Sequence, residues 1–168
     1  MEMVVLVNEQ GQAVGTMEKM SAHQNGGHLH RAFSGFVFNK KGELLIQKRA
    51  STKYHNPNIW ANTVCSHPRE NETPTQGANR RIYEELGFHA KFTEIGEFIY
   101  RATFPNGLTE HEYDHVCVAE YNEEPIKPNP DEVADFRFIS RADLIAEIKK
   151  TPENFSFWLR EILKREIL

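Results

Sequence analysis

The sequence predicts an α/β fold, on three observations. Short apolar segments bounded by turn residues recur along the chain, as strands do: Met3 to Val7, Ala32 to Phe38, Glu43 to Lys48, Phe92 to Phe104 and Val133 to Ile139. Between them lies one segment of helical period, in which Ala78, Ile82 and Leu86 fall at i, i+4 and i+8. The third is composition. With 168 residues, 39% hydrophobic and 26% charged, the chain can bury a real core as one globular domain spanning residues 1 to 168.

The same numbers exclude several functions. A net charge of −4 leaves no basic footprint for nucleic acid or an anionic membrane surface. No apolar run approaches the ~20 residues that span a bilayer, and Met1-Glu2-Met3-Val4-Val5 lacks the basic start of a secretory leader. Cys65 and Cys117 are the only cysteines. Cys117, between two valines, reads as a small buried apolar residue. A reduced, cytoplasmic protein is the expectation.

The elements follow in order. Met3 to Val7 turns at Asn8-Glu9-Gln10-Gly11 and pairs back through Ala13 to Thr16, and Glu18 to Ala22 makes a helical turn. His23-Gln24-Asn25-Gly26-Gly27-His28-Leu29-His30 is a bending loop. In an extended run His28 and His30 point to one face, and alone they read as solvated. Two strands joined at Asn39-Lys40-Lys41-Gly42 form a hairpin, and the second ends in the basic cluster Lys48-Arg49-Ala50-Ser51-Thr52-Lys53. Ile59 to Cys65 leads into Ser66-His67-Pro68. Thr73-Pro74-Thr75-Gln76 then supplies a capping box with proline at the first helical position, and Gly87 stops the helix.

After the helix, Pro105-Asn106-Gly107 is a turn, and Glu110 and Glu112 in the next strand share a face. On an outer strand such a pair marks the wet side. Asn122 to Pro130 is a surface loop. Ser140 caps a helix ending near Lys150, and Thr151-Pro152-Glu153 opens the last helix, with Phe155, Trp158, Leu159, Ile162 and Leu163 as its apolar stripe.

Ser66 to Phe88, with Glu72, Arg80, Glu84, Glu85 and Gly87 at their spacing, resembles the Nudix box. Two positions depart from it: Ser66 stands for the opening glycine and Arg81 for a glutamate. These departures are similar to those of the type I isopentenyl-diphosphate isomerases. The resemblance extends from Lys19 to Trp158, through Lys19-x3-His23, Leu29-His30 before a strand, and Glu110-x-Glu112 after a glycine turn.

The resemblance implies a Nudix-type α/β/α sandwich around a mixed β-sheet and the conversion of isopentenyl to dimethylallyl diphosphate. It implies that His23, His30, His67, Glu110 and Glu112 surround one Zn²⁺ or Mn²⁺, and that Glu85 holds Mg²⁺ on the diphosphate. Glu112 would deliver a proton with Tyr100 hydrogen-bonded to it, and Cys65 would serve on the other face as proton acceptor or paired acid/base. Lys19, Arg49, Lys53, Ser66 and Arg81 would bind the small homoallylic or allylic diphosphate, and Trp158 would close over it. The chain would act as a monomer or weak dimer. A hydrolase of some other diphosphate and an inactive binding module are the rival readings. Arg81, a cation where a metal-ligating glutamate belongs, counts against hydrolysis.

Overall fold

The central strand, β3 (His30–Phe38), pairs parallel with β8 (Thr109–Glu120) over its whole length, from His30 opposite Glu112 to Phe38 opposite Glu120. A computed structural model describes all residues, 1 to 168. The opposite edge of β3 is shared by three partners, all antiparallel. They are β1 (Met3–Val7) at His30, β6 (Val64–Ser66) at Phe33 to Gly35, and β4 (Leu44–Arg49) at Phe38. β2 (Ala13–Glu18) extends the sheet beyond β1, and β7 (Thr93–Thr103) beyond β8. β4 also pairs with β5 (Trp60–Ala61) and β9 (Val133–Ile139). The sheet is mixed, with nine strands.

Strand alternation sends side chains to two cores. Phe33, Val37, Leu45, Val64 and Cys117 face α2 (Pro74–Leu86), where Ala78, Ile82 and Leu86 are fully buried. Each large side chain buried this way contributes about 1.5–3 kcal/mol. Phe36, Ile46, Phe98 and Val116 face the other way, toward α3 (Arg141–Lys150) and α4 (Phe157–Lys164), which contributes Trp158, Leu159 and Ile162. Helices therefore cover both faces of the sheet.

α2 carries the capping box: Thr73 accepts from the Gln76 amide while Gln76 accepts from the Thr73 amide. Gly87 ends it at φ +70°, and a Cβ there would lie 2.5 Å from the Lys127 carbonyl oxygen. Glycine is required twice over at this position.

Three expectations change. The last helix begins at Phe157, capped by Ser156; Pro152–Asn154 is a separate 3₁₀ turn, and Phe155 is extended between them. Proline opened the turn, but the serine hydroxyl two residues before Trp158 set the helix. β8 is no outer strand, since β3 and β7 flank it, and Glu110 and Glu112 are buried. His28 is exposed while His30 is fully buried, because the strand begins only at His30 and Gly26 and Gly27, both at positive φ, bend the chain before it.

Candidate active site

A cleft of about 750 Å³ is lined by residues of β1, β3, β4, β6 and β8, together with α1 (Lys19–Ala22), α2 and α4. It gathers Lys19, His23, Arg49, Lys53, Cys65, Ser66, His67, Arg81, Glu85, Tyr100, Glu110, Glu112 and Trp158. Of the residues to which the resemblance gives a catalytic, metal-binding or substrate-binding role, only His30 is not on its wall, and it is in contact with His67, which is.

His23, His30, His67 and Glu112 bring one potential ligand atom each to within 4.8 Å of one another. His30 Nε2 is 3.2 Å from His67 Nε2, and Glu112 Oε1 is 3.4 and 3.3 Å from those two nitrogens. His23 Nδ1 donates to the Lys19 carbonyl and His30 Nδ1 to the His28 carbonyl, each at 2.7 Å. A carbonyl can only accept, so Nδ1 carries the hydrogen and Nε2 keeps its lone pair. Backbone partners of this kind fix the tautomer of metal-binding histidines. Three imidazoles and a carboxylate converging in a buried place suit Zn²⁺ or Mn²⁺.

The charges are arranged accordingly. Burial would push the Glu112 carboxyl up, but the His30 and His67 imidazoles beside it outweigh that and hold the group well below the usual carboxylate range. Burial lowers His67 to about 4, keeping it neutral. Glu110 moves the opposite way, raised well above its ordinary value by burial and by the Glu112 charge. Tyr100 donates its hydroxyl to Glu112 Oε2 at 2.7 Å.

Glu110 lies outside the four-residue group. Its Oε2 is 3.3 Å from His55 Nε2, and its Oε1 is buried without a hydrogen-bond partner. The even spacing of Glu110 and Glu112 put both on one face, but strand spacing alone does not bring both to one point.

The basic wall is more heavily paired than the sequence suggested. Arg49 donates to the His55 and Asn56 carbonyls at 3.0 and 3.1 Å, and its guanidinium lies 5.7 Å from the Trp158 ring centre. Lys19 meets Glu2 at 3.3 Å, and Lys53 contacts Glu132. Arg81 reaches Glu84 at 2.6 Å, and Glu85 and Glu132 at 3.4 Å each. Glu85 accepts from Gln47 at 3.2 Å, and its Oε2 has no hydrogen-bond partner although buried. Arg80 forks onto Glu72 at 2.8 and 2.9 Å, with only a weak contact to Glu84. That pair ties the Ser66–Thr73 loop to α2.

Cys65 stands opposite Ser34 across the β3–β6 ladder, so the two share a face of the sheet. Burial pushes its thiol far up, so it rests protonated. Trp158 donates its indole N–H to Asn62 at 2.8 Å, which fixes the ring plane.

His55, Glu132 and Asn62 carried no signal of periodicity or motif in the sequence. His55 lies in an irregular loop, and Glu132 is brought in by the loop from β8 to β9. Only the adjacency of His55 to Lys53 could have drawn notice.

A family model described as the NUDIX domain matches residues 28–160. "Isopentenyl-diphosphate Delta-isomerase 2" of Aromatoleum aromaticum is 43% identical over 166 residues, covering 99% of this chain and 87% of the relative. "Isopentenyl-diphosphate Delta-isomerase" of Aliivibrio fischeri strain MJ11 is 45% identical over 171 aligned positions, covering 98% and 94%. Among solved structures, DR0079 from Deinococcus radiodurans superposes with a TM-score of 0.79 at 22% identity, over 98% of both chains. A MutT protein from Methanosarcina mazei Go1 gives 0.65 at 18% identity, over 82% of this chain and 91% of that one. These two likenesses speak to the fold.

Proposed function

The chain belongs to the NUDIX family and, within it, to the isopentenyl-diphosphate Delta-isomerases, and from that premise we propose that it converts isopentenyl diphosphate to dimethylallyl diphosphate. The observation that carries the reading is one cleft holding both a thiol and a tyrosine-bound glutamate, Cys65 and Glu112. Isomerisation needs two proton-transfer groups and no attacking water.

The diphosphate binds at the basic end. Lys19, Arg49, Lys53 and Arg81 supply the cations, and arginine's planar fork matches a phosphate. The Ser66 hydroxyl lies at the same wall. Glu85 Oε2, buried without a hydrogen bond though 3.4 Å from Arg81, would hold Mg²⁺ carried with the diphosphate, a hard-oxygen site. When bound, an ion on the three histidines and Glu112 would draw charge from its carboxylate ligand, and Mg²⁺ would screen the diphosphate. Whether Zn²⁺ or Mn²⁺ fills the first place, the donor set serves both.

The alkyl end then lies between Cys65, Glu112 and Trp158. One group adds a proton to the terminal alkene carbon, using the π electrons for the new C–H bond. Positive charge develops at the tertiary carbon. The second group removes a proton from the neighbouring methylene, and that C–H pair becomes the new double bond. Cys65 rests as a thiol, and Glu112 accepts the Tyr100 hydrogen bond, so the two form the pair of proton-transfer groups. Tyr100 keeps Glu112 in place through its 2.7 Å bond. Trp158 offers a π face to the developing cation, an attraction of ~2 kcal/mol when dry, and excludes water from it.

Incubating the protein with isopentenyl diphosphate and Mg²⁺, and following both products by NMR, tests the proposal. Dimethylallyl diphosphate forms and no phosphate is released. Phosphate release outpacing isomerisation would overturn it.

A further inference from the structure

His55 is a buried imidazole on the cleft wall that the chemistry above leaves unused. Its Nε2 is 3.3 Å from Glu110 Oε2, and its ring meets Phe104 edge to face with centroids 4.5 Å apart. Its ring centre lies 6.3 Å from that of His23, a member of the histidine group. The loop that carries it is closed on itself. Arg49 donates to the His55 and Asn56 carbonyls, and Asn56 and Asn58 are held at φ +50° and +60°. Non-glycine residues persist in that region only where surrounding contacts fix them. His55 therefore has a defined place.

Glu110 explains what the imidazole is for. Its Oε1 is buried with no hydrogen-bond partner. Leaving such an atom unpaired costs roughly 1–3 kcal/mol, more when charged. A cation beside the histidine group would satisfy it, provided the other oxygen is held. Histidine is the one polar side chain within ion-pair reach of that second oxygen.

We propose that His55 is a positioning residue for Glu110, holding Oε2 so that Oε1 stays free for the ion that the resemblance already assigns to Glu110 along with His23, His30, His67 and Glu112. This rests on reading those four residues as a metal site. Nε2 must carry the hydrogen to do so. The Asn56 amide, 3.0 Å from the same nitrogen, then turns its oxygen toward it. Because Arg49 grips the same loop, the arrangement joins the diphosphate wall to the carboxylate pair through one short segment.

The test is Zn²⁺ affinity of the whole protein, measured by competition with a chromogenic chelator. His55→Phe keeps the packing on Phe104 and removes both nitrogens; His55→Gln keeps a donor. Outer-shell partners of this kind typically change metal affinity by about 10–100-fold. A loss of that size in His55→Phe, recovery to within a few-fold in His55→Gln, and no further loss when His55→Phe is added to Glu110→Gln would support the assignment. Wild-type affinity in His55→Phe, or additive losses in the double variant, would overturn it. His67→Ala serves as the control: if it too binds Zn²⁺ normally, the metal site itself is misread. Circular dichroism of each variant shows that it is folded.

Discussion

Tyr100 and Glu112 face each other directly across the β7–β8 ladder, and the phenol donates a 2.7 Å hydrogen bond to the carboxylate. Both are buried, so the bond sits where water cannot replace it. Hydrogen bonds to charged groups contribute about 1.5–3 kcal/mol. Tyr100→Phe should lower kcat by roughly 10–100-fold, the rate equivalent of that range, with KM little changed. An unchanged kcat would show that Tyr100 merely fills space.

Cys65→Ala should abolish isomerisation while leaving the melting temperature near wild type, since the side chain is only partly buried against the core. Cys117→Ala, on the opposite face of the sheet, should keep its activity. Dimethylallyl diphosphate formation by the Cys65 variant at wild-type rate sinks the assignment.

Elemental analysis should find about one Zn²⁺ or Mn²⁺ per chain, as in a closed site of this donor type. His67→Ala should lose it, because two of the shortest contacts in the group run through His67 Nε2. Equal metal content in both proteins rejects the cluster.

Asp114 gives a pH prediction. Ser34 donates to its Oδ2 at 2.7 Å, but Oδ1 has no partner. Burial, then the charge of Glu112, pushes the carboxyl well above its ordinary value despite that bond. A folded-state value above the unfolded one means that the folded protein holds the proton more tightly. Stability is therefore full below the unfolded value near 3.8 and falls as pH rises above it. Asp114→Asn removes that dependence. The variant should melt higher than wild type at pH 7, with the gap closing toward pH 4; a lower melting temperature at pH 7 contradicts the argument.

Arg81 separates isomerase from hydrolase. It is paired with Glu84, Glu85 and Glu132, so its charge occupies the ground a second metal would need. The wild type should release no phosphate from nucleoside diphosphate derivatives. Arg81→Glu should impair isomerisation by placing like charges beside Glu85. Undiminished isomerisation in that variant would show Arg81 to be dispensable.

Much of this arrangement was legible in the sequence because it depends on local rules. The α2 caps, the stripe of Ala78, Ile82 and Leu86, the glycine at 87 and the single face of Glu110 and Glu112 all follow from spacing within a few residues. The site's identity came from a family resemblance. What stayed hidden was set by distant chain segments: the burial of β8 between two strands, the His55–Glu110 contact and Glu132 beside Lys53 and Arg81. Ser156, which starts α4, lost to Thr151-Pro152 as a helix signal because a proline can open a 3₁₀ turn as readily as an α-helix.

The parallel ladder of β3 and β8 has a consequence for how the protein comes into being. His30 and Glu112 sit side by side in it, yet the strands between them must all be made first. Pairings this remote in sequence close late, since a long loop loses its freedom before any contact rewards it. On the ribosome the hairpin of β1 and β2 and the helix α2 can form early, but neither half of the chain holds a working cleft. Chemistry should therefore appear only after β8 docks, and an ion bridging the two strands would act as a clasp on that final step.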